Sequence, residues 1–307
     1  NSQLAFQESF PPGSTIKPFT TLAALRAGLI DNEARTLCHE KYSHGEFHTT
    51  CSHPLDLPPL NPTEAIAYSC NYYFGKLGER LPEQTFKATL NDFGLTRKTG
   101  VNIANEAPGR VQRTVWRPQS AMGEGEYLQI TPLQLLDAYA ALVNGGRVFV
   151  PLLSANANAA ASVQSNVTID NGQRELIVKG MRGAVRYGTA ESANLYSLPL
   201  YIFGKTGTAT EINGYRTHGW FVGFASRVNE DDMGAPAPDK VGLAVLVFLA
   251  RAHGVDAAQI ARPIFAEFAR SAPTELIATN QLQTQVATSR NPSMGPRSPS
   301  SVRVYIA

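Results

Sequence analysis

Apolar residues after Gly13 fall at helical spacing, with Leu22, Ala23, Leu25 and Leu29 on one face, and they predict a helix that opens at Ser14-Thr15-Ile16-Lys17. Pro18 suits only the first turn of that helix. Asn61-Pro62-Thr63-Glu64 reads as an N-cap, a proline at the first helical position and a capping glutamate, and it predicts a helix ending at Ser69. Thr131-Pro132-Leu133-Gln134 repeats the device, and Asn144-Gly145-Gly146 stops the helix it starts. Asp256, with Gln259 three residues on, predicts the cap of a last helix with Ile260, Ile264 and Phe268 as its stripe and Pro263 as a kink.

Strand signals come late. Leu198–Phe203, Gly219–Ala225 and Val241–Ala250 are apolar and rich in aromatic or β-branched residues, and the acidic spacer 227–240 carries Gly and Pro as a hairpin connection would. From about Ser271 the composition shifts to Ser, Thr, Asn, Gln and Pro, so 273–300 reads as a flexible linker between a domain at 1–272 and a closing segment at 301–307. That segment alternates like a strand and reads as the start of a further domain or as an addition to the sheet, the first being favoured.

The chain has 307 residues, 43% of them hydrophobic, which fills a substantial core. A formal net charge of +2 without a basic run gives no nucleic-acid or membrane-surface footprint. The longest apolar run, Val241 to Ala250, is too short to span a bilayer. Cys38 and Cys51 bracket a loop holding His39, His44 and His48, with His53 just beyond; a loop-closing disulfide, a Cys/His zinc site and free thiols all fit. Cys70 reads as a packed small hydrophobe.

Three short stretches carry the chemistry: Ser14-Thr15-Ile16-Lys17, Ser69-Cys70-Asn71 and Lys205-Thr206-Gly207-Thr208. Each is a weak signal alone, and Ser192-Ala193-Asn194, Ser154-Ala155-Asn156 and Lys98-Thr99-Gly100 are decoys of the same lettering. Context separates them. Ser14 lies in Phe10-Pro11-Pro12-Gly13-Ser14-Thr15-Ile16-Lys17-Pro18-Phe19, Ser69 in Ala67-Tyr68-Ser69-Cys70-Asn71-Tyr72-Tyr73-Phe74, and Lys205 follows an apolar strand. Serine is a poor nucleophile without a base, and an amine three residues away on a helix can take its proton if the lysine is neutral. Burial and a second cation, here Lys205, both favour the neutral amine, and Ser69 can relay the proton to a leaving amine.

In this wording and order the chain resembles the transpeptidase domain of class B penicillin-binding proteins, over roughly residues 1–270. The resemblance implies an α+β fold, with an antiparallel sheet flanked by helices and a mostly helical subdomain. Two strands that normally precede the nucleophile are not in this chain. It implies a D,D-transpeptidase that cross-links peptidoglycan stem peptides through a Ser14 acyl-enzyme and is acylated by β-lactams. Ser14, Lys17, Ser69 and Lys205 would be catalytic; Asn71, Thr206, Gly207 and Thr208 would bind substrate, with Gly204 and Gly207 admitting its backbone. The N–H groups of Ser14 and Thr208 would form the oxyanion hole.

No cofactor or catalytic metal is implied. The setting would be extracytoplasmic, with a membrane anchor outside this chain and cell-wall synthesis proteins as partners. A serine β-lactamase, with Glu106 as the nearest candidate to activate water, a D,D-carboxypeptidase and a non-catalytic scaffold module are the alternatives. His218 reads as a strand residue near the cleft and not as a catalyst.

Overall fold

Three ten-residue strands form the spine of the molecule, a computed structural model described for residues 2–112, 116–152, 162–210, 217–227, 234–271 and 303–306. The helices are α1 (Lys17–Arg26), α2 (Pro62–Tyr68), α3 (Asn71–Arg80), α4 (Glu83–Asp92), α5 (Pro132–Val143), α6 (Asn171–Arg186) and α7 (Gly254–Arg270). The main sheet holds β7 (Tyr201–Thr210), β8 (Thr217–Ser226), β9 (Val241–Ala250) and β10 (Arg303–Ile306) in the order β10-β9-β8-β7. Small two-stranded pairs are β1 (Lys41–His44) with β2 (Phe47–Thr50), β3 (Arg110–Val111) with β4 (Leu128–Gln129), and β5 (Arg147–Phe149) with β6 (Val163–Asn166).

Both faces of the main sheet are buried, so its strands read as near-continuous apolar runs. Phe203, Trp220, Val222, Phe224 and Leu246 face one core, shared with α1 through α6. Ile202, Phe221, Ala225, Val245 and Val247 face the other, shared with α7. Alternation along each strand divides its side chains between two helical layers.

β7 pairs antiparallel with β8 (Lys205↔Val222, Gly207↔Trp220), and β8 pairs antiparallel with β9. β10 pairs parallel with β9, so the closing segment sits on the sheet, the less favoured of its two expectations.

Both predicted capping boxes form. Asn61 Oδ1 accepts from Glu64 N at 2.9 Å while Glu64 Oε2 accepts from Asn61 N at 2.8 Å. Thr131 and Gln134 exchange bonds of 3.1 and 2.9 Å in the same way. Four expectations need correction. The first strand runs from Tyr201 to Thr210, after a turn through Leu195–Ser197, so it starts and ends later than the predicted Leu198–Phe203 and carries Lys205-Thr206-Gly207-Thr208 within it.

The first helix opens with a 3-10 turn, Gly13–Ile16, and becomes α-helical only at Lys17. α7 starts at Gly254, which makes Asp256 a third-position residue; its carboxylate accepts from His253 N at 2.8 Å. Its buried face is Ala257, Ala258, Ala261 and Phe265, whereas Ile260 is 46% exposed. The helix runs on through Pro263 to Arg270. Residues 153–161, 228–233 and 272–302 lie outside the described residues, and with them the decoy at Ser154 and the predicted linker. No helix among the described residues is long and apolar enough to cross a membrane.

Candidate active site

Ser14 stands half-buried in a tight turn that three parts of the chain clamp. Thr15 Oγ1 donates back to the Pro12 carbonyl at 2.7 Å, and the Thr15 carbonyl accepts from the buried Tyr139 hydroxyl of α5. Trp220 Nε1 of β8 donates to the Pro11 carbonyl at 3.2 Å, and Gly13 N donates to the Gly123 carbonyl at 3.1 Å. The hydroxyl at position 14 is therefore held by a rigid backbone, which is what a nucleophile needs to keep a near-attack geometry.

Lys17, the first α-helical residue, is fully buried. Its Nζ donates to the Ser69 carbonyl at 2.8 Å, to Ser69 Oγ at 3.1 Å and to Asn71 Oδ1 at 2.7 Å, and it lies 5.2 Å from the Phe74 ring centre. Ser69 presents two acceptors because it ends α2 in the left-handed region (φ 53°), a conformation that costs a non-glycine residue on the order of 1 kcal/mol. Asn71 is fixed in turn: Nδ2 donates to the Thr50 carbonyl at 2.8 Å and to Thr49 Oγ1 at 3.1 Å, both on β2. The first two motifs thus meet through Lys17. Its direct hydrogen bonds run to the second motif, and none among the described residues joins it to Ser14 Oγ.

Burial lowers the Lys17 pKa to about 7, while Cys51 and Glu124 pull it upward. Desolvation, and not the second cation expected from the sequence, is thus the main cause of an amine poised near neutrality. Lys205 is also fully buried and its Nζ donates to the Thr206 carbonyl at 3.0 Å. Its pKa is driven well below the ordinary lysine value, first by burial and then by the charge of Lys17. A carboxylate arriving at this amine would restore its charge.

β7 lies directly against the nucleophile turn. A Cβ placed on Gly207 would meet Thr15 Cγ2 at 2.7 Å and the Pro12 carbonyl oxygen at 2.9 Å, and one on Gly204 would strike the Phe221 ring at 2.7 Å. Both glycines are therefore required by the protein's own packing, Gly207 against the turn that carries Ser14 and Gly204 against the Phe221 ring. Thr206 Oγ1 pairs with Thr189 Oγ1 at 2.5 Å, and Thr208 Oγ1 accepts from Gly254 N at 3.0 Å.

A second cluster lies behind Ser69. The sulfurs of Cys38, Cys51 and Cys70 and a ring nitrogen of His53 all fall within 4.8 Å of one another. Cys38 is joined to Cys70 as a disulfide, and Cys51 is free. The expected Cys38–Cys51 pairing gives way because Cys51 Sγ stands 3.9 Å from Cys38 Sγ and 3.8 Å from Cys70 Sγ. Cys70 is buried as expected, yet it is a member of this cluster and its sulfur also accepts from Tyr73 N at 3.2 Å. The Cα atoms of Cys38 and Cys70 are 7.0 Å apart, at the outer edge of what a disulfide spans. His53 Nε2 lies 3.1 Å from Cys38 Sγ while its Nδ1 faces the Pro54 carbonyl at 2.7 Å. With the disulfide reduced, the three cysteines and an imidazole fixed by a backbone carbonyl would be a donor set suited to tetrahedral zinc. His39, His44 and His48 are not part of it; they face Tyr72, Glu79 and the Glu46 carbonyl.

Glu106 has no place at the cleft. Its carboxylate accepts from Thr99 N and Thr99 Oγ1, both at 2.6 Å, and from Gly100 N at 3.2 Å, which also absorbs the Lys98-Thr99-Gly100 decoy into a structural loop. His218 is buried on β8 against the rings of Phe10 and Phe248. Residues that the motifs did not single out are Thr49, Thr189 and Glu124. Only Glu124 carries a sequence signal, an acidic residue between two glycines.

Comparison with known proteins agrees with this geometry. The family profile described as penicillin binding protein transpeptidase domain matches residues 1–266. The peptidoglycan D,D-transpeptidase MrdA of Acinetobacter baumannii is 31% identical over 85% of this chain and 42% of its own length. The peptidoglycan D,D-transpeptidase PbpA of Mycobacterium tuberculosis is 29% identical over 79% of this chain and 50% of its own length. The chain thus spans about half the length of the curated relatives it matches. Among solved structures, Pseudomonas aeruginosa PBP2 in complex with WCK 5153 superposes with a TM-score of 0.65 at 25% identity, over 85% of this chain and 60% of that one. PBP2 of Helicobacter pylori in complex with MreC gives 0.67 at 22% identity, over 84% and 49%. The chain belongs to the family of penicillin-binding protein transpeptidase domains.

Proposed function

We propose that residues 1–272 form a D,D-transpeptidase unit that cross-links peptidoglycan stem peptides through an acyl-enzyme on Ser14. The observation that carries this reading is the fully buried Lys17 amine, bonded to Ser69 and Asn71 and lowered to about pKa 7, one helical turn from a clamped, half-exposed serine. Lys17 takes the Ser14 proton as Oγ attacks the carbonyl of the penultimate residue of the donor peptide. Ser69 relays that proton from Lys17 to the departing amine, which leaves the acyl group on Ser14 and Lys17 neutral again. Lys205, with the hydroxyls of Thr206 and Thr208, receives the donor's terminal carboxylate, and Asn71 orients its amide. The N–H groups of Ser14 and Thr208 serve the oxyanion; one such donor is worth about 3 kcal/mol of transition-state stabilisation. An amine of a second stem peptide then takes the acyl group.

A β-lactam carries the same carboxylate and a strained amide, and it acylates the same serine. Similar proteins occur in a complex with MreC and in a peptidoglycan synthase complex, which supports cell-wall synthesis proteins as partners; relatives that are peptidoglycan D,D-transpeptidases are compatible with an extracytoplasmic setting. The test is intact-mass analysis after treatment with a fluorescent penicillin. The wild type gains one stable adduct and Ser14→Ala gains none; an adduct that persists on Ser14→Ala overturns the assignment of the nucleophile.

A further inference from the structure

The loop Gly123-Glu124-Gly125 touches the turn that carries Ser14. Gly13 N donates to the Gly123 carbonyl at 3.1 Å, and a Cβ on Gly123, whose φ is +76°, would lie 2.2 Å from the Gly13 oxygen. Glu124 therefore follows a residue in contact with the one before Ser14, and its own N–H is anchored on the Gln119 carbonyl at 3.2 Å. Its half-buried carboxylate makes no hydrogen bond or ion pair among the described residues. Glu106 differs sharply, since its carboxylate is saturated by three donors. The charge that acts on Glu124 is Lys17 of α1, and the two influence each other without closing into a direct ion pair.

We propose that Glu124 receives the acceptor: its carboxylate binds the incoming alkylammonium of the second peptide and takes its proton before the amine attacks the Ser14 ester. This rests on the acyl-enzyme reading above. An alkylamine is protonated in neutral water and cannot attack in that form. A carboxylate beside the nucleophile can bind the ammonium and take that proton. The balance is simple. One proton passes from the ammonium to Glu124, and the freed lone pair forms the C–N bond at the ester carbonyl. The attacking nitrogen gives up a second proton to neutral Lys17, the C–O bond to Ser14 breaks, and that proton passes from Lys17 to Ser14 Oγ, while Glu124 returns its own proton to water. Burial, partly opposed by the charge of Lys17, raises the Glu124 pKa to about 7, so the carboxylate is a stronger base than an exposed one and remains ionised above neutrality.

The experiment compares the two half-reactions in the wild-type chain, Glu124→Gln and Glu124→Asp. Acylation is followed with a fluorescent penicillin. Transfer is followed with an N-acyl-D-alanyl thioester as donor and D-alanine as acceptor amine. In Glu124→Gln, transfer to the amine is expected to fall at least about tenfold relative to acylation, and Glu124→Asp to recover part of it. The acylation-versus-pH curve of Glu124→Gln should also move toward acid, because the anion that raises the Lys17 pKa is gone while Cys51 and Lys205 are unchanged; a merely structural role would not shift it. Equal loss of both half-reactions, or normal transfer in Glu124→Gln, overturns the proposal. Absence of any acyl-enzyme in the wild type is a different result, which defeats the transpeptidase reading itself.

Discussion

Lys17 Nζ donates to Asn71 Oδ1 at 2.7 Å, across 54 positions of sequence, while the amide nitrogen of the same Asn71 is held by Thr49 and Thr50. The Lys17 amine is therefore aimed by an amide whose orientation is set by a β-hairpin that none of the three motifs includes. Removal of the water shell around Lys17 sets its proton affinity, and Asn71 sets its direction.

Acylation should follow the ionisation of Lys17. The amine acts as a base only when neutral, and burial places its pKa at about 7. The penicillin acylation rate is expected to rise about tenfold per pH unit on the acid side and to level off above neutrality. Asn71→Asp places an anion on the amine, which favours its charged form, so the rising limb should move to higher pH. Stopped-flow acylation across about pH 5.5 to 9 checks both, and a flat wild-type profile removes Lys17 as the base.

Gly207→Ala probes the seam between β7 and the nucleophile turn. The new methyl would lie 2.7 Å from Thr15 Cγ2, 2.9 Å from the Pro12 oxygen and 3.0 Å from Thr15 N, so backbone must shift. We expect about 1–3 kcal/mol of lost stability and a much larger proportional loss of acylation, because the displaced atoms flank Ser14. Denaturant melts together with acylation rates decide the matter; acylation at the wild-type rate would mean that the seam does not position the serine.

Glu106→Ala should act on stability and not on chemistry. The buried carboxylate satisfies two backbone N–H groups and one hydroxyl, and its loss leaves them without partners at a cost of about 2–4 kcal/mol. The adduct lifetime after penicillin treatment should stay at the wild-type value in the folded fraction. A longer-lived adduct in Glu106→Ala would instead give this residue the water-activating part once considered for it.

The Cys38, Cys51, His53 and Cys70 cluster predicts a response to zinc. In reducing buffer, added zinc is expected to raise the melting temperature by several degrees, since a metal that binds only the native state stabilises it. EDTA should reverse the rise and Cys51→Ser should weaken it. Because Cys70 lies between Ser69 and Asn71, removing the metal should also slow acylation. A melting curve indifferent to zinc in the reduced protein leaves the cluster as a disulfide with a neighbouring thiol.

By itself the sequence determined the family, the three motifs, both proline-led helix starts and the run Val241–Ala250. Each of these is written in neighbouring residues: a cap and its partner three positions on, or an unbroken apolar run destined for a sheet covered on both faces. Tertiary structure decided the rest. Packing of α7 centred its buried face on Ala257, Ala261 and Phe265, with Ile264 and Phe268 at its edge and Ile260 left exposed, because small side chains let a helix approach a sheet closely. The contact of Gly207 with Thr15, the meeting of Cys38 with Cys70, and the placing of Glu124 beside Gly13 all join positions remote in sequence. No local propensity encodes such contacts; they appear only once the two cores have closed.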